Sequence, residues 1–219
     1  MLQDPSQAQE IIDKIEDIDR LPSYEETKSL LDYMESDLNM DPVVRGWNSM
    51  CRELRVHAVY NTGFIQALAD VIADINESPL IEICAGSGKL SHQLRKQGID
   101  IIATDDYSYG ISKEGLVERF SHKEALRGYE PRIVIGSWIP NESKIGFDVL
   151  DSPTVRYFID IGEDICSCTW MTEEIEDRMD WHRQYLNDVK RYCISLLDLL
   201  GLSFTCVSMF KRNGTADFS

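Results

Sequence analysis

Residues 79–105 constrain the fold more than any other part of the sequence, because they follow the pattern strand, glycine turn, helix, strand. The apolar run at 80–83 predicts a buried strand, and the small residues at 85–88 predict a tight turn. Residues 89–97 then have helical character, and a second apolar run at 99–103 predicts the next strand. This unit is half of a mononucleotide-binding α/β fold.

The residue types in this unit suit a nucleotide ligand. Gly86 and Gly88 let the backbone turn and approach a ligand without a Cβ in the way. Asp105 ends the second strand about 20 residues later, where a carboxylate can accept hydrogen bonds from ribose hydroxyls. Glu82 lies inside a strand that should be buried, so it either orients the loop or meets a charged ligand.

Two other nucleotide motifs fit less well. A phosphate-binding P-loop needs Ser or Thr after Gly-Lys, but Leu90 follows Lys89, and Ile83 occupies the early glycine position. A dinucleotide-binding fingerprint needs a third glycine where Ser91 stands. The P-loop interpretation therefore fails, while the dinucleotide interpretation is weakened and stays open.

The segment E-I-C-A-G-S-G at 82–88, followed by Asp105, resembles the cofactor motif of class I S-adenosylmethionine (SAM)-dependent methyltransferases. Cys84 departs from that motif at its first glycine. The resemblance implies a Rossmann-like class I methyltransferase sandwich, with a mostly parallel sheet, an antiparallel edge strand and S-adenosyl-L-methionine as cofactor. The cofactor-binding residues that it implies are Glu82, Cys84, Ala85, Gly86, Ser87, Gly88, Asp105, Asp106, Ser121 and Ser137.

The amino-acid composition limits the kinds of partner that the protein can bind. The 219 residues include 22 basic and 38 acidic ones, for a net charge of −16, which repels nucleic acid backbones and anionic membranes. The amino terminus has no signal-peptide pattern and no stretch could cross a bilayer, so we expect a cytoplasmic protein. Cys166 and Cys168 have no histidine partners nearby, and we expect no metal site.

Residues 1–60 are predicted to form an amino-terminal helical cap on a SAM-binding Rossmann-like domain at 61–219. Apolar residues recur at helical spacing in three segments, the second starting at Pro22 and the third at Asp41. In methyltransferase-like folds such a cap helps to shape the substrate pocket. The candidates for lining it are Trp47, His57, Tyr60 and Asn61, although packing of the cap on the domain is the simpler role for each.

Later strands supply the remaining candidates. A short third strand is predicted near 116–120, with Ser121 and His122 at its end, and residues 132–140 form the fourth. Many amino-group and nucleic-acid methyltransferases have Asn or Asp, then Pro-Pro and an aromatic residue, after that strand. Here the exit loop contains Trp138 and Pro140, so DNA base methylation loses its main support. Trp138, Pro140 and Tyr60 are the predicted substrate-binding residues.

Residues 155–163 predict a fifth strand that ends at Glu163, residues 172–200 a mostly helical segment with a break, and residues 202–210 a final antiparallel edge strand. The Trp-Pro loop and the Ile-Gly-Glu strand end resemble a poorly characterised group of methyltransferase-like proteins over residues 61–170. That resemblance implies no established catalytic residue.

The sequence therefore predicts a SAM-dependent methyltransferase acting on an unidentified small-molecule or protein acceptor. Methyl transfer requires no nucleophilic side chain, and the predicted base is His122 or Glu163. Two alternatives stay open. One is a degenerate methyltransferase-like scaffold, which Cys84 and the missing Pro-Pro motif favour, and the other is a NAD-dependent oxidoreductase, which Ser91 disfavours. The sequence leaves open whether a protein partner or a second copy of the chain binds.

Overall fold

The computed structural model describes residues 5–35, 46–111, 115–140, 143–163, 178–198 and 205–214, together with residues 2 and 203. The chain divides into two compact units. The first comprises Met1–Leu68 and Asp188–Thr205, and the second comprises Ala69–Asn187 and Cys206–Ser219. The proposed boundary near residue 60 and the role of the first helices as a cap stay predictions.

The first unit contains the amino-terminal helices α1 (Pro5–Glu16), α2 (Tyr24–Glu35) and α3 (Gly46–Glu53). Ser23 and Glu26 form a reciprocal capping pair at the start of α2, as the sequence at Pro22-Ser23 predicts. The short strands β1 (Ala58–Val59) and β8 (Ile194–Ser195) pair antiparallel in the same unit. Trp47 is fully buried and its indole N–H donates to the carbonyl of Ser195 at 2.8 Å.

The boundary between the units lies within helix α4 (Thr62–Ile75), between Leu68 and Ala69. This helix precedes the first strand of the main sheet. The other helices are α5 (Lys89–Lys96), α6 (His122–Tyr129), α7 (Ile145–Asp151) and the short α8 (Asn187–Lys190). The strands of the sheet are β2 (Leu80–Ile83), β3 (Ile102–Asp105), β4 (Glu118–Arg119), β5 (Ile133–Ser137), β6 (Tyr157–Glu163), β7 (Trp181–Tyr185) and β9 (Thr205–Arg212).

These seven strands of the described chain form one sheet in the order β4-β3-β2-β5-β6-β9-β7. The strands from β4 to β6 pair in parallel, and β7 pairs antiparallel with β9. The order reverses between β2 and β5, and such a switch point opens a crevice at the carboxyl ends of the strands. The predicted α/β fold, with a mostly parallel sheet and an antiparallel edge, is confirmed.

The central strands are apolar because helices cover both faces of a parallel sheet. Every residue of β2, β5 and β6 is buried. On one face, side chains from α6 and α7 pack against the sheet around Phe158 and Phe210, whose rings stack with centroids 5.8 Å apart.

In the part of the chain that the structure describes, no helix is long and apolar enough to cross a membrane.

The predicted mostly helical segment at 172–200 is wrong for most of its described residues, of which only 187–190 are helical, as α8. Residues 181–185 form β7 and residues 194–195 form β8, while residues 172–177 lie outside the described chain. Trp181 and Tyr185 are four residues apart, and that spacing fits one face of a helix and one face of a strand equally well. The predicted final strand is present as β9, but it lies inside the sheet, and β7 is the edge strand.

Gly136 offers a test of the packing on this face. A Cβ at Gly136 would collide with the side chain of Ile139 and lie 3.2 Å from the Phe158 ring. Gly136→Ala should therefore lower the free energy of unfolding in urea by about 1–3 kcal/mol. Gly128→Ala is the matched control, because Gly128 lies in α6 with open space around its Cβ position, so this change should be neutral or slightly stabilising. Equal effects of the two substitutions would contradict this packing.

Candidate functional site

The loop between β2 and α5 turns through three left-handed residues. Cys84, Gly86 and Gly88 have φ angles of 54°, 54° and 77°. The Ala85 N–H donates to the Thr104 carbonyl at 3.0 Å, and the Gly88 N–H donates to the Ala85 carbonyl at 2.9 Å. The loop is therefore held against β3 and closed on itself at the switch point of the sheet.

Both glycines of the loop are required sterically. A Cβ at Gly88 would lie 2.6 Å from the Val117 side chain, and one at Gly86 would lie 3.1 Å from Ile111. Their positive φ angles are costly for residues with a side chain. The loop backbone therefore packs closely on Val117 and Ile111, and its close approach to a ligand stays a prediction.

Glu82 binds the first turn of α5. Its carboxylate accepts hydrogen bonds from the Ser91 N–H at 3.2 Å and from the Ser91 hydroxyl, and both residues are fully buried. Burial raises the pKa of Glu82 to about 7, although the Ser91 bonds and the charge of Arg95 oppose this rise. Ser91 occupies the position of the third glycine in a dinucleotide motif, and there it has a specific hydrogen-bond partner in Glu82.

Asp105 connects the glycine loop to the end of β3. Its Oδ2 accepts a hydrogen bond from the Gly86 N–H at 3.0 Å, and its Oδ1 accepts one from the Tyr107 N–H at 2.7 Å. These two contacts fix the orientation of the carboxylate at the end of β3.

The loop has a carboxylate-rich environment. Burial raises the pKa of the Cys84 thiol to about 12, and the negative charges of Asp105, Asp106 and Glu82 raise it further. Three carboxyl groups therefore act on one loop residue. Cys84 remains a protonated thiol at neutral pH, so it is no nucleophile here.

Ser121 and His122 begin α6 and already have partners. Ser121 is the helix cap: its hydroxyl donates to a Glu124 carboxylate oxygen at 2.7 Å, and its N–H donates to the same oxygen. The His122 Nε2 lies 2.8 Å from the Asp148 carboxylate on α7, which Lys123 also contacts. The role of His122 as a base stays a prediction.

The loop after β5 folds back on the sheet. Ser137 is the buried last residue of β5. Trp138 has a positive φ of 56°, and its N–H donates to the Ile161 carbonyl of β6 at 2.7 Å. Ile139 is buried over Gly136, and Pro140 is half-buried. Trp138 and Pro140 thus stand at the crevice-forming edge of the sheet.

The remaining predicted residues are more scattered. Asp106 is exposed beside Asp105, and hydrogen bonds from Ser108 lower its pKa. Glu163 is the buried last residue of β6. Tyr60 belongs to the first unit, where its ring stacks on Phe64. Of the other candidates there, Asn61 bonds to the Phe64 N–H and the Tyr192 carbonyl, and Cys166 and Cys168 lie outside the described residues.

Sequence reasoning missed Asp160 in the middle of β6. This residue is fully buried, and among the described residues no donor lies within hydrogen-bond distance of either carboxylate oxygen. Burial raises its pKa to about 7, although the charge of Arg183 opposes the rise. The signal that drew attention to Glu82, a carboxylate inside an apolar strand, was equally present at Asp160.

No protein-family model matches the chain, and no curated protein matches it in sequence. Solved structures with a similar chain path include a methyltransferase from Geobacter sulfurreducens, at 11% identity and a TM-score of 0.45 over 84% of this chain and 97% of that one. The human methyltransferase 10 domain containing protein is 10% identical with a TM-score of 0.44, over 96% and 98%. The plantazolicin methyltransferase BpumL, in complex with SAH, is 12% identical with a TM-score of 0.43, over 94% and 99%.

The left-handed conformation of Cys84 gives a test of the loop geometry. Cys84→Gly should retain the free energy of unfolding within about 1 kcal/mol, because glycine adopts this conformation without strain. Cys84→Val should lower it by more than about 1 kcal/mol, since a β-branched residue is strongly disfavoured at positive φ. Cys84→Ala controls for loss of the thiol and should fall between them. A valine variant as stable as the glycine variant would contradict this geometry.

The raised pKa of Glu82 makes stability depend on pH. Between its ordinary value of 4.5 and about 7, the folded protein keeps a proton that the unfolded chain releases. The free energy of unfolding should fall over this range, by at most about 1.4 kcal/mol per pH unit from this group, and level off above it. In urea titrations from pH 4 to 9, Glu82→Gln should remove this contribution.

Ser91→Ala is the matched comparison. It removes a donor to Glu82, so the pKa of Glu82 should rise further and the fall in the free energy of unfolding should extend to higher pH. Parallel pH profiles for the wild type and Glu82→Gln would show that Glu82 does not titrate in this range.

Proposed function

We propose that the chain is a methyltransferase that binds S-adenosylmethionine at the loop between β2 and α5. The supporting observation is a pair of contacts at the switch point of the sheet, by which Asp105 holds this loop and Glu82 holds the first turn of α5. The left-handed turn at Gly86 and Gly88 lies at this switch point, and we assign the ribose hydroxyls to the Asp105 carboxylate at the end of β3.

The charge of the loop favours SAM over a dinucleotide. A diphosphate binds at a helix N-terminus through free backbone N–H groups. In α5 the Ser91 N–H is already bound to Glu82, and the carboxylates of Asp105 and Asp106 stand nearby. These groups disfavour a ligand with two phosphates and favour one with a sulfonium and an ammonium. The NAD-dependent alternative is accordingly the weaker one.

Methyl transfer from SAM requires few chemically active side chains. Bound SAM supplies an electrophilic methyl group, and the chain has to orient the acceptor and exclude water. The loop from Trp138 to Pro140 follows β5 beside the switch point, where an acceptor would approach. We propose a small-molecule or protein acceptor, because the net charge of −16 opposes nucleic acid.

The alternative is a protein that binds SAM without transferring its methyl group. Cys84 stands at the first glycine of the motif in a left-handed conformation, so this departure leaves the turn intact. The replacement of the first glycine by Cys84 is therefore no steric argument against SAM binding. A measurement of methyl transfer distinguishes an enzyme from a scaffold.

Calorimetric titration with SAM, SAH and NAD tests the proposal. SAM and SAH should bind with micromolar dissociation constants, and NAD should bind far more weakly. Asp105→Asn should weaken SAM binding about 10- to 100-fold, because a charged acceptor and an orienting contact to Gly86 are weakened together. Asp100→Asn is the control, since Asp100 is exposed before β3, and should leave the affinity unchanged. NAD binding tighter than SAM would reverse the proposal.

A further inference from the structure

Asp160 has no described partner, in contrast to the other carboxylates of the sheet. Glu82 is bound by Ser91, and Asp105 is bound by the Gly86 and Tyr107 amides. Both Asp160 oxygens are buried without a donor among the described residues. A buried carboxyl group without hydrogen bonds destabilises a fold, so its presence requires an explanation.

The strand register places Asp160 beside the candidate cofactor site. Ile83, the last residue of β2, pairs with Gly136, and Gly136 pairs with Asp160. Neighbouring strands lie about 5 Å apart, so Asp160 stands about 10 Å across the sheet from the start of the glycine loop. The β3 side of that loop is assigned to the ribose through Asp105, which leaves the side of β5 and β6 for an acceptor.

The side of Asp160 that faces β5 is closed by an apolar side chain. Gly136 has no side chain, and Ile139 from the exit loop fills the space above it. This loop is held to β6 by the Trp138 N–H at the Ile161 carbonyl. A ligand that reaches Asp160 from the β5 side therefore has to displace Ile139.

Arg183 determines which charge a ligand of Asp160 should carry. Its guanidinium donates to the Ser208 hydroxyl at 3.0 Å, lies 4.5 Å from the centroid of the Tyr185 ring and acts electrostatically on Asp160. A cationic ligand would place a second positive charge beside this one in a buried setting. A neutral hydrogen-bond donor fits, and the half-exposed Tyr185 ring beside Arg183 favours a ligand with a ring system.

We infer that Asp160 binds the methyl acceptor, and that this acceptor is a neutral aromatic molecule whose hydroxyl or ring N–H donates to the Asp160 carboxylate. This inference rests on the proposed function. On methylation, the bond between the acceptor atom and hydrogen breaks and its proton passes to Asp160. The acceptor atom bonds to the methyl carbon with an electron pair, and the pair of the broken carbon–sulfur bond stays on sulfur.

The binding test uses phenol and anisole as probes with the SAH-loaded full chain. The two rings differ in the hydroxyl hydrogen, so their difference reports the hydrogen bond to Asp160. In calorimetric titration the wild type should bind phenol at least about tenfold more tightly than anisole, because anisole would leave the carboxylate unpaired. Propylammonium should bind more weakly than phenol.

Two substitutions separate binding from proton acceptance. Asp160→Leu removes the acceptor atoms and should reduce the preference for phenol over anisole to near one. Asp160→Asn still accepts the phenol hydrogen bond, but it should slow methyl transfer from radiolabelled SAM to phenol about 100-fold or more, since it cannot take the proton. Asp100→Asn is again the control and should match the wild type.

The outcomes for the two proposals differ. Failure of the wild type to bind SAM and SAH would overturn the proposed function. Normal SAH affinity with equal binding of phenol and anisole, or an unchanged preference in Asp160→Leu, would overturn only the inference about Asp160. Tighter binding of propylammonium, or absence of transfer to phenol, would overturn the neutral aromatic acceptor.

Discussion

The hydrogen bond from the Gly86 N–H to Asp105 is the contact on which the candidate site depends. It joins the loop after β2 to the end of β3, and the Ala85 N–H at the Thr104 carbonyl joins them a second time. A loop with three left-handed residues has many conformations in isolation, and these contacts select one. The carboxylate that holds the loop is therefore the same group that we assign to the ribose.

Carboxyl groups inside an apolar sheet are costly, and Glu82 and Asp160 differ in how this cost is met. Ser91 satisfies Glu82 with a backbone and a hydroxyl donor, so that carboxylate connects β2 to α5 and is structural as it stands. Asp160 has only the distant charge of Arg183 among the described groups. Since burial raises the pKa of both to about 7, their difference lies in hydrogen bonding, and only Asp160 needs a ligand to explain it.

The sequence pattern predicted those parts of the fold that depend on interactions between residues close in sequence. The glycine loop, the in-strand Glu82 and the helix at α5 follow from backbone sterics and apolar spacing, and each is present. Side-chain partners far apart in sequence do not follow from such patterns, so the contact between His122 and Asp148 was not foreseen. The strand at 181–185 was missed because four-residue spacing satisfies both periodicities, and only pairing with β9 decides between them.

The charge around the loop connects fold and cofactor more closely than the glycine motif does. Glycines at a strand-to-helix turn suit phosphates and sulfonium compounds alike, because they provide only space. The acidic groups differ in this respect: Glu82 occupies an amide of the α5 N-terminus that a diphosphate would use, and Asp105 and Asp106 extend the negative potential toward the ligand. A cationic cofactor would offset the negative charge of these carboxylates, so we expect its binding to stabilise the loop.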